Sequence, residues 1–337
     1  MSVTARQIAQ ELGVSEATVS LVLNGRRGVS SATRERVVSM ARHMGYDFKR
    51  ARGSRSQGSI AFVIFDRQSF FSTQFFQEVQ SGVLSVLDES DYSLSMARID
   101  GRGDVQAQVS SRLPTDCIGI IVFATEMEAE EFEPIVDISL PVVWLDNPLA
   151  PTDCDSVVIN NYLGMQQALG YLTQTYPGVP GHLCGGGMLA NFDERRRGLH
   201  RALRAMGGST KDMPELLLPV DVEAAQEALL AELDRGLEPQ RSYVADNDFI
   251  ALGAIRALRQ RGHRVPEDVA VMGFDDIGFA RLSDPPLSTI SVPKAYLGQV
   301  AAERLLRVLD AGYLQVPREL HPIRIEVNTS PVIRESA

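Results

Sequence analysis

Amphipathic segments of helical period fill the N-terminal part of the chain. Apolar residues recur at helical spacing from Ile8, from Val19 and from Val37. Thr4 begins a capping box for the first segment, and Gly13 supplies the turn into the second. The pattern predicts three short helices, the first two joined as in a helix-turn-helix.

From Ser59 onward the pattern changes to apolar runs of strand length that alternate with helical segments. One run, 117–124, is almost continuously apolar, as expected of a strand buried on both faces. Such alternation predicts parallel sheets, and a body of about 280 residues is expected to divide into two lobes. The predicted strands are 60–65, 117–124, 141–145, 156–159, 182–184, 242–244 and 269–272, and the predicted helices are 74–87, 162–175, 195–206 and 249–261.

Charge is distributed unevenly along the chain, whose formal net charge is −10. Residues 1–57 contain ten Lys or Arg and four acidic residues, which gives +6 and leaves −16 for the remainder. A small basic head on a large acidic body is typical of a modular nucleic-acid binder, although a solvated basic tail has the same charge.

Composition and cysteine content favour a protein of the bacterial cytoplasm. No apolar run reaches the roughly 18–20 residues that span a bilayer, and the N-terminus lacks the apolar region of a secretory signal. The cysteines Cys117, Cys154 and Cys184 are widely spaced and are interpreted as reduced thiols.

The sequence contains few of the features that enzymes require. It has neither a phosphate-binding Gly-Lys-Ser/Thr loop nor a nucleophile elbow, and its five histidines are isolated from one another. We therefore expect no catalytic residues, no metal site and no cofactor.

Several motifs carry a family resemblance that extends over nearly the whole chain. Residues 3–25 and 29–46 closely resemble the headpiece of the lactose/galactose repressor (LacI/GalR) family, and 246–254, 264–277 and 285–290 resemble motifs of its core. The resemblance implies an N-terminal all-α helix-turn-helix headpiece and an α/β periplasmic-binding-protein-like core of two lobes with parallel sheets.

The resemblance also implies a domain organisation. Residues 1–46 would form the helix-turn-helix DNA-binding domain, 47–59 the hinge or linker, and 60–337 the effector-binding and dimerisation domain. The first lobe would comprise about 60–159 and 292–321, and the second about 160–291 and 322–337. Crossings between the lobes are expected near 159–161, 290–293 and 321–325.

In that family the second helix lies in the major groove of DNA, which implies roles for residues of the head. Leu21 stands where relatives often have an Arg that contacts guanine. Leu21 or Ala17 would instead contact the methyl group of a thymine, and the Glu16 carboxylate would accept from the amino group of a cytosine. Residues implied to face bases are Ser15, Glu16, Ala17, Ser20 and Leu21, and those implied to fix phosphates or cap helices are Thr4, Thr18, Asn24, Ser30, Thr33 and Arg34.

The linker departs from the family pattern of a hinge helix that forms on DNA. Phe48-Lys49 replaces the usual Pro-Asn, no Leu wedge is present, and Gly53 weakens a helix. Arg52 and Arg55 would enter a narrow minor groove. A folded hinge and a flexible basic linker both remain open.

Polar and aromatic residues follow the predicted strands, where ligands of parallel sheets bind. Arg195 stands where the family places a ligand-clasping Arg, whose fork suits a diol or a carboxylate. Asp248 is interpreted as a helix cap and Trp144 as core, while Phe76 has both a core and a ligand interpretation. The candidate effector-binding residues are Phe75, Phe76, Thr125, Asp146, Asn161, Arg195, Asn247 and Asp275.

Together these features predict a cytoplasmic, sequence-specific transcriptional repressor, associated with the nucleoid when bound to its operator. Its partners would be a pseudo-palindromic double-stranded operator, a second copy of the chain and a small effector, with no membrane. A dimer is favoured over a tetramer because no terminal heptads are present. The effector is expected to be a sugar, with a nucleobase or nucleoside as the alternative; a solute-binding protein and a sugar-handling enzyme are the other interpretations.

Overall fold

A computed structural model gives the fold of most of the chain. The residues that it describes are 3–23, 29–44, 46, 58–67, 73–186, 189–313 and 321–337. They form a group of short N-terminal helices followed by two six-stranded sheets with helices packed on them. Within these ranges, no helix combines the length and the apolar character needed to cross a membrane.

The head consists of helices α1 (Ala5–Leu12), α2 (Glu16–Leu23) and α3 (Ser31–His43). The predicted capping box is present, because Thr4 Oγ1 accepts from the amide of Gln7 while the Gln7 side chain accepts from the amide of Thr4. The chain then turns at residue 13, a glycine with φ of 65°. The buried residues that hold the three helices together are Ile8, Ala9, Val19, Val22, Leu23, Val37 and Ala41.

The first sheet is entirely parallel, in the order β11-β5-β4-β3-β1-β2. Its strands are β1 (Ser59–Phe65), β2 (Ser93–Ile99), β3 (Cys117–Phe123), β4 (Val142–Leu145), β5 (Asp155–Ile159) and β11 (Arg324–Val327). Its helices are α4 (Gln74–Leu87), α5 (Val105–Arg112), α6 (Glu133–Val136) and α12 (Lys294–Tyr313), with a 3₁₀ turn at Ala129–Glu131. Every residue of β1 is buried, as its continuous apolar run predicts.

The second sheet has the order β12-β10-β9-β8-β6-β7 and is parallel except for its last strand. Its strands are β6 (Gly181–Gly185), β7 (Glu215–Leu218), β8 (Ser242–Ala245), β9 (Ala270–Asp275), β10 (Ser288–Ser291) and β12 (Ser330–Val332), of which β12 is antiparallel to β10. Its helices are α7 (Asn161–Thr175), α8 (Ala190–Ala205), α9 (Val222–Asp234), α10 (Asp248–Gln260) and α11 (Gly278–Leu282), with a 3₁₀ turn at Thr210–Asp212.

In the described part of the chain the backbone passes from one sheet to the other after Ile159, after Ser291 and after Val327. The lobe boundary expected at residue 322, and the crossing expected at 321–325, therefore need correction. Arg324–Val327 pairs in parallel with β5 and so belongs to the first lobe. Only Ser330–Val332 then adds to the edge of the second sheet.

Candidate functional site

Arg195 lies at the centre of a buried polar network where the carboxyl ends of the two sheets meet. Helix α8 carries this residue, and its side chain is 3% exposed. Its Nε donates to Asn161 Oδ1 at 2.9 Å, its Nη2 to Asp275 Oδ1 at 3.0 Å, and its Nη1 to the main-chain oxygen of Asp246. Its Cζ lies 3.8 Å from the centre of the Phe274 ring, so the guanidinium is held on its face as well as at its edge.

The same network continues into the first lobe. Asn161 Nδ2 donates to Asn191 Oδ1 at 2.9 Å, and Asn191 Nδ2 donates to the main-chain oxygen and Oδ1 of Asp146 at 3.0 and 3.2 Å. Thr125 Oγ1 donates to Oδ2 of the same aspartate at 2.6 Å. Because Asp146 follows β4 and Asn191 belongs to α8, these hydrogen bonds connect the two lobes.

The carboxyl groups of this network are electrostatically perturbed. Burial raises the pKa of Asp146 to about 7, although Thr125 and Arg195 act in the opposite direction. Burial also raises the pKa of Asp275, against the neighbouring charges of Arg195 and Lys294. Acidic groups perturbed by burial and by specific charges are concentrated at functional sites, so this network is the binding-site candidate.

The backbone of the network is strained at the ends of two strands. Asp146 has φ of 65°, Asp275 of 105° and Asp276 of 55°, in the region that favours glycine. Lys294 supports the second turn, since its Nζ donates to the main-chain oxygens of Asp275 at 2.6 Å and Asp276 at 3.0 Å. Strain of this kind, of order 1–3 kcal/mol per residue, recurs where side chains are positioned for a ligand.

Two neighbouring phenylalanines at the start of α4 have different environments. Phe75 is half-buried, with its ring centre 6.5 Å from that of Phe123 and 6.0 Å from Lys294 Nζ. Phe76 is 1% exposed and stacks on Phe62 with ring centres 5.9 Å apart. Of the two interpretations of Phe76, this packing favours the core, because its ring lies beneath α4 against Phe62.

The start of α10 also differs from expectation. Asn247, not Asp248, is the helix cap, since its Oδ1 accepts from the amide of Ile250 at 3.0 Å. Asp248 is buried instead, where its oxygens contact Thr289 Oγ1 at 2.5 Å and the amide of Ile277 at 2.8 Å. Asn247 follows Asp246, whose main-chain oxygen accepts from Arg195, so it remains a candidate site residue, but its only side-chain oxygen already caps α10.

Sequence reasoning missed the contributions of Asn191 and Lys294. The predicted helix began at Arg195, whereas α8 begins at Ala190 and brings Asn191 one turn earlier onto the same helix face. An Asn four residues before the key Arg was the available signal. Lys294 begins α12 in the opposite lobe, so its contact with the main chain at Asp275 depends on tertiary structure.

The head presents several of its predicted DNA contacts on one surface. Glu16, Ala17 and Ser20 are exposed along α2, while Thr18 and Leu21 are half-buried beside them. Ser15 caps the helix, as its Oγ accepts from the amide of Thr18 at 3.0 Å and lies 2.7 Å from Thr18 Oγ1.

Helix α3 has the same type of cap. Ser30 Oγ accepts from the amide of Thr33 at 3.3 Å and lies 2.9 Å from Thr33 Oγ1, and Arg34 is half-buried one residue further on. Thr4 and Ser30 are both exposed. Asn24, Arg52 and Arg55 lie outside the described residues, as does linker segment 47–57.

Comparison with known proteins agrees with this two-part architecture. Residues 4–47 match the family described as bacterial regulatory proteins, lacI family, and residues 182–337 match the periplasmic binding protein-like domain. The HTH-type transcriptional repressor PurR of Vibrio vulnificus is 30% identical over 330 residues, covering 95% of this chain and 96% of the relative. The chain belongs to the LacI family.

Other LacI-family members resemble it over similar lengths. The ribose operon repressor of Haemophilus influenzae is 29% identical over 315 residues, covering 90% of this chain and 91% of that one. The structure of a transcriptional regulator CelR–cellobiose complex superposes with a TM-score of 0.73 at 27% identity, covering 99% of this chain and 100% of that one. A Lac repressor dimer bound to operator shares the fold, with a TM-score of 0.70 at 22% identity, and covers 100% of this chain and 99% of that one.

Members of this LacI family are transcriptional regulators rather than enzymes. The chain is accordingly a DNA-binding transcriptional regulator with an effector-responsive α/β core.

Proposed function

We propose that the chain is a cytoplasmic repressor that binds a pseudo-palindromic operator as a homodimer, under the control of a sugar bound between the lobes. The observation that carries the proposal is the network around Arg195, which reaches from Asp275 in one lobe to Asp146 in the other. A ligand that replaces some of these contacts binds the closed and open arrangements with different affinities. Only such a difference in affinity shifts the equilibrium between two states.

The donors and acceptors of the network suit vicinal hydroxyl groups. The described residues use three of the five N–H donors of Arg195, and the carboxyl groups of Asp146 and Asp275 accept hydrogen bonds beside it. The half-buried ring of Phe75 offers an apolar face to a pyranose or furanose ring. The CelR–cellobiose complex and the ribose operon repressor support a sugar, whereas the PurR relatives make a nucleobase the second candidate.

The exposed face of α2 is the proposed base-reading surface. Ala17 and Leu21 offer methyl groups to thymine, and Glu16 offers an acceptor to the amino group of cytosine. An operator read in this way differs from one in which Arg contacts guanine. Two such heads related by two-fold symmetry require a pseudo-palindromic site.

An apolar patch in the second lobe is the proposed contact between the two copies. Phe279 and Leu282 on α11 are 63% and 74% exposed, and they line a groove with Phe249 and Leu252 of α10. Apolar side chains this exposed and this close together are typical of an interaction surface. The Lac repressor dimer supports a second copy of the chain as the occupant.

Genomic operator selection with the purified chain tests the proposal. We expect enrichment of one pseudo-palindromic sequence family, and we expect one member of a panel of pentoses, hexoses, disaccharides and nucleobases to change its affinity. Enrichment of no discrete site by folded protein would overturn the proposal. A response to a nucleobase alone would replace the sugar by the second candidate.

Arg195→Lys tests the effector site, because lysine keeps the charge beside Asp275 but loses the planar fork. We expect the effector concentration for a half-maximal response to rise at least about ten-fold, with operator affinity in the absence of effector changed less than about three-fold. The exposed Arg197 on the same helix provides the matched control, Arg197→Lys, which should respond like the wild type. An unchanged response in Arg195→Lys would show that the site is wrongly assigned.

A further inference from the structure

A second group of chemically reactive side chains lies at the edge of the second sheet. His182 and Cys184 are two residues apart in β6, so their side chains leave the strand on the same face. Glu215 begins the neighbouring strand β7, where it is paired with His182 in the register of the two strands. The topology therefore places an imidazole, a thiol and a carboxylate side by side.

The atoms of this group lie at distances that suit coordination. Cys184 Sγ is 3.2 Å from His182 Nδ1, which is 3.9 Å from Glu215 Oε1, and ligand atoms of all three side chains lie within 4.8 Å of one another. A tetrahedral zinc ion with bonds of about 2.0–2.3 Å places its ligand atoms about 3.3–3.8 Å apart. Small rotations of the side chains would satisfy that geometry.

A buried carboxylate sets the orientation of the imidazole. His182 Nε2 lies 2.8 Å from Asp246 Oδ1, and Asp246 Oδ2 accepts from the amide of Gly185 at 2.7 Å. Asp246 is 1% exposed, so it holds the ring rigidly. An Nε2–H that donates to this carboxylate leaves the Nδ1 lone pair directed at Cys184 and Glu215, which is the carboxylate–histidine–metal arrangement of many protein zinc sites.

We propose that His182 Nδ1, Cys184 Sγ and Glu215 Oε1 bind a zinc ion, with solvent in the fourth position. Imidazole and thiolate together favour Zn²⁺ over Mg²⁺ or Ca²⁺, which prefer oxygen ligands. Cys184 and Glu215 are partly exposed, which gives an ion access from solvent.

Two basic side chains now hold Glu215. Arg196 Nε and Nη2 donate to Glu215 Oε1 and Oε2 at 2.9 and 2.5 Å, and His200 Nε2 lies 2.8 Å from Oε1. An ion at Oε1 would replace the Arg196 Nε contact, and the 52% exposed Arg196 side chain can then remain on Oε2 or turn towards solvent. A carboxylate has about four acceptor positions, so Glu215 can bind the ion and still accept from His200.

Sequence spacing did not indicate this site, because its ligands come from two strands more than thirty residues apart in the chain. The site also adjoins the effector network, since the main-chain oxygen of Asp246 accepts from Arg195. A bound ion would connect β6, β7 and β8 at the edge of that network.

Titration of the purified full chain with Co²⁺ tests the proposal, since cobalt reports both thiolate ligation and tetrahedral geometry. We expect one Co²⁺ per chain, a thiolate-to-cobalt charge-transfer band, strong visible absorption, and loss of both on addition of Zn²⁺. In Cys184→Ser the charge-transfer band should be absent. In Asp246→Asn the band should persist while Zn²⁺ affinity falls about 10–100-fold.

Cys117→Ser and Cys154→Ser are the matched controls, and both should behave like the wild type. Circular dichroism establishes that each variant is folded. Two results would overturn the proposal: wild-type protein that leaves Co²⁺ with the spectrum of the hydrated ion, or a charge-transfer band that survives in folded Cys184→Ser.

Discussion

The pKa of the Asp248 carboxyl group is strongly raised by its surroundings. Its side chain is completely buried between Thr289 and the amide of Ile277. Burial, together with the nearby carboxylate of Asp275, raises the pKa of Asp248 from 3.8 to about 8. The folded chain therefore keeps a proton on Asp248 that the unfolded chain releases over this range of pH. Its contribution to stability is present below about pH 4 and is lost as the pH rises to about 8.

Asp248→Asn tests this, because an amide cannot titrate there. We expect the free energy of unfolding of the wild type, relative to the variant, to fall by about 1 kcal/mol per pH unit between about pH 5 and 8 and then to level off. Urea unfolding at a series of pH values measures the difference. Asp212→Asn, at an exposed aspartate, is the control and should show no such trend. Parallel curves for the wild type and Asp248→Asn would contradict the raised pKa.

The sequence predicted which residues follow the strands, but it did not predict the contacts and the burial of each side chain. The strand-end argument selected Asp275 and the family resemblance selected Arg195, but only the structure shows that the two are in contact. Phe75 and Phe76 could not be separated, because both follow the same strand and only the packing of α4 decides which ring is buried. Asn191 was missed because the first turn of α8 has no apolar repeat that marks its start.

The contact between helices α4 and α12 depends on two glycines. A Cβ added at Gly82 would lie 1.8 Å from the main-chain oxygen of Ala295, and one added at Gly298 would lie 2.0 Å from that of Val79. The two helices therefore approach backbone to backbone. From sequence alone, a glycine within a helix is expected only to lower the stability of that helix. The structure shows that these two glycines allow α4 and α12 to pack closely.

Gly82→Ala should destabilise the core by about 1–3 kcal/mol, because the methyl group forces the helices apart. Gly170→Ala in α7 is the matched control, since nothing lies within 4 Å of the added Cβ. That change should stabilise the fold by about 0.5–1 kcal/mol through helix propensity. Urea unfolding of both variants measures the two effects, and equal effects would contradict the close approach.

Elements were predictable from sequence where they are continuously buried or strongly periodic. The helix predicted at 74–87 and the strand predicted at 60–65 match α4 and β1 within one residue. The edge strand β2 went unpredicted, because it has exposed and buried residues in no regular alternation. Such strands are determined by the neighbour that they pair with rather than by their own pattern.

Assembly is the property that belongs to the whole molecule. If α11 is the contact between copies, Leu282→Asp should convert the dimer to a monomer, because an aspartate pair at the two-fold interface would be desolvated without a partner. Sedimentation velocity measures the assembly state. Operator affinity should fall in parallel, by at least about ten-fold, since two linked heads bind far more tightly than one.

Leu217→Asp is the control for this prediction. Leu217 is 73% exposed on β7, at the edge of the second sheet opposite β10 and β12, so its replacement should leave both assembly and operator affinity unchanged. A dimer that persists in Leu282→Asp would place the contact elsewhere on the surface.

The positions of the three passages between the lobes restrict how the lobes can move. β5 and β11 lie together at one edge of the first sheet, and β10 and β12 lie together at one edge of the second. Because the three connections between the lobes lie along one side, the motion left to the lobes is a rotation of one relative to the other about that side. The displacement of a residue in this motion grows with its distance from the rotation axis. Spectroscopic labels on β2 and β7, at the opposite edges, would therefore record the largest change in separation.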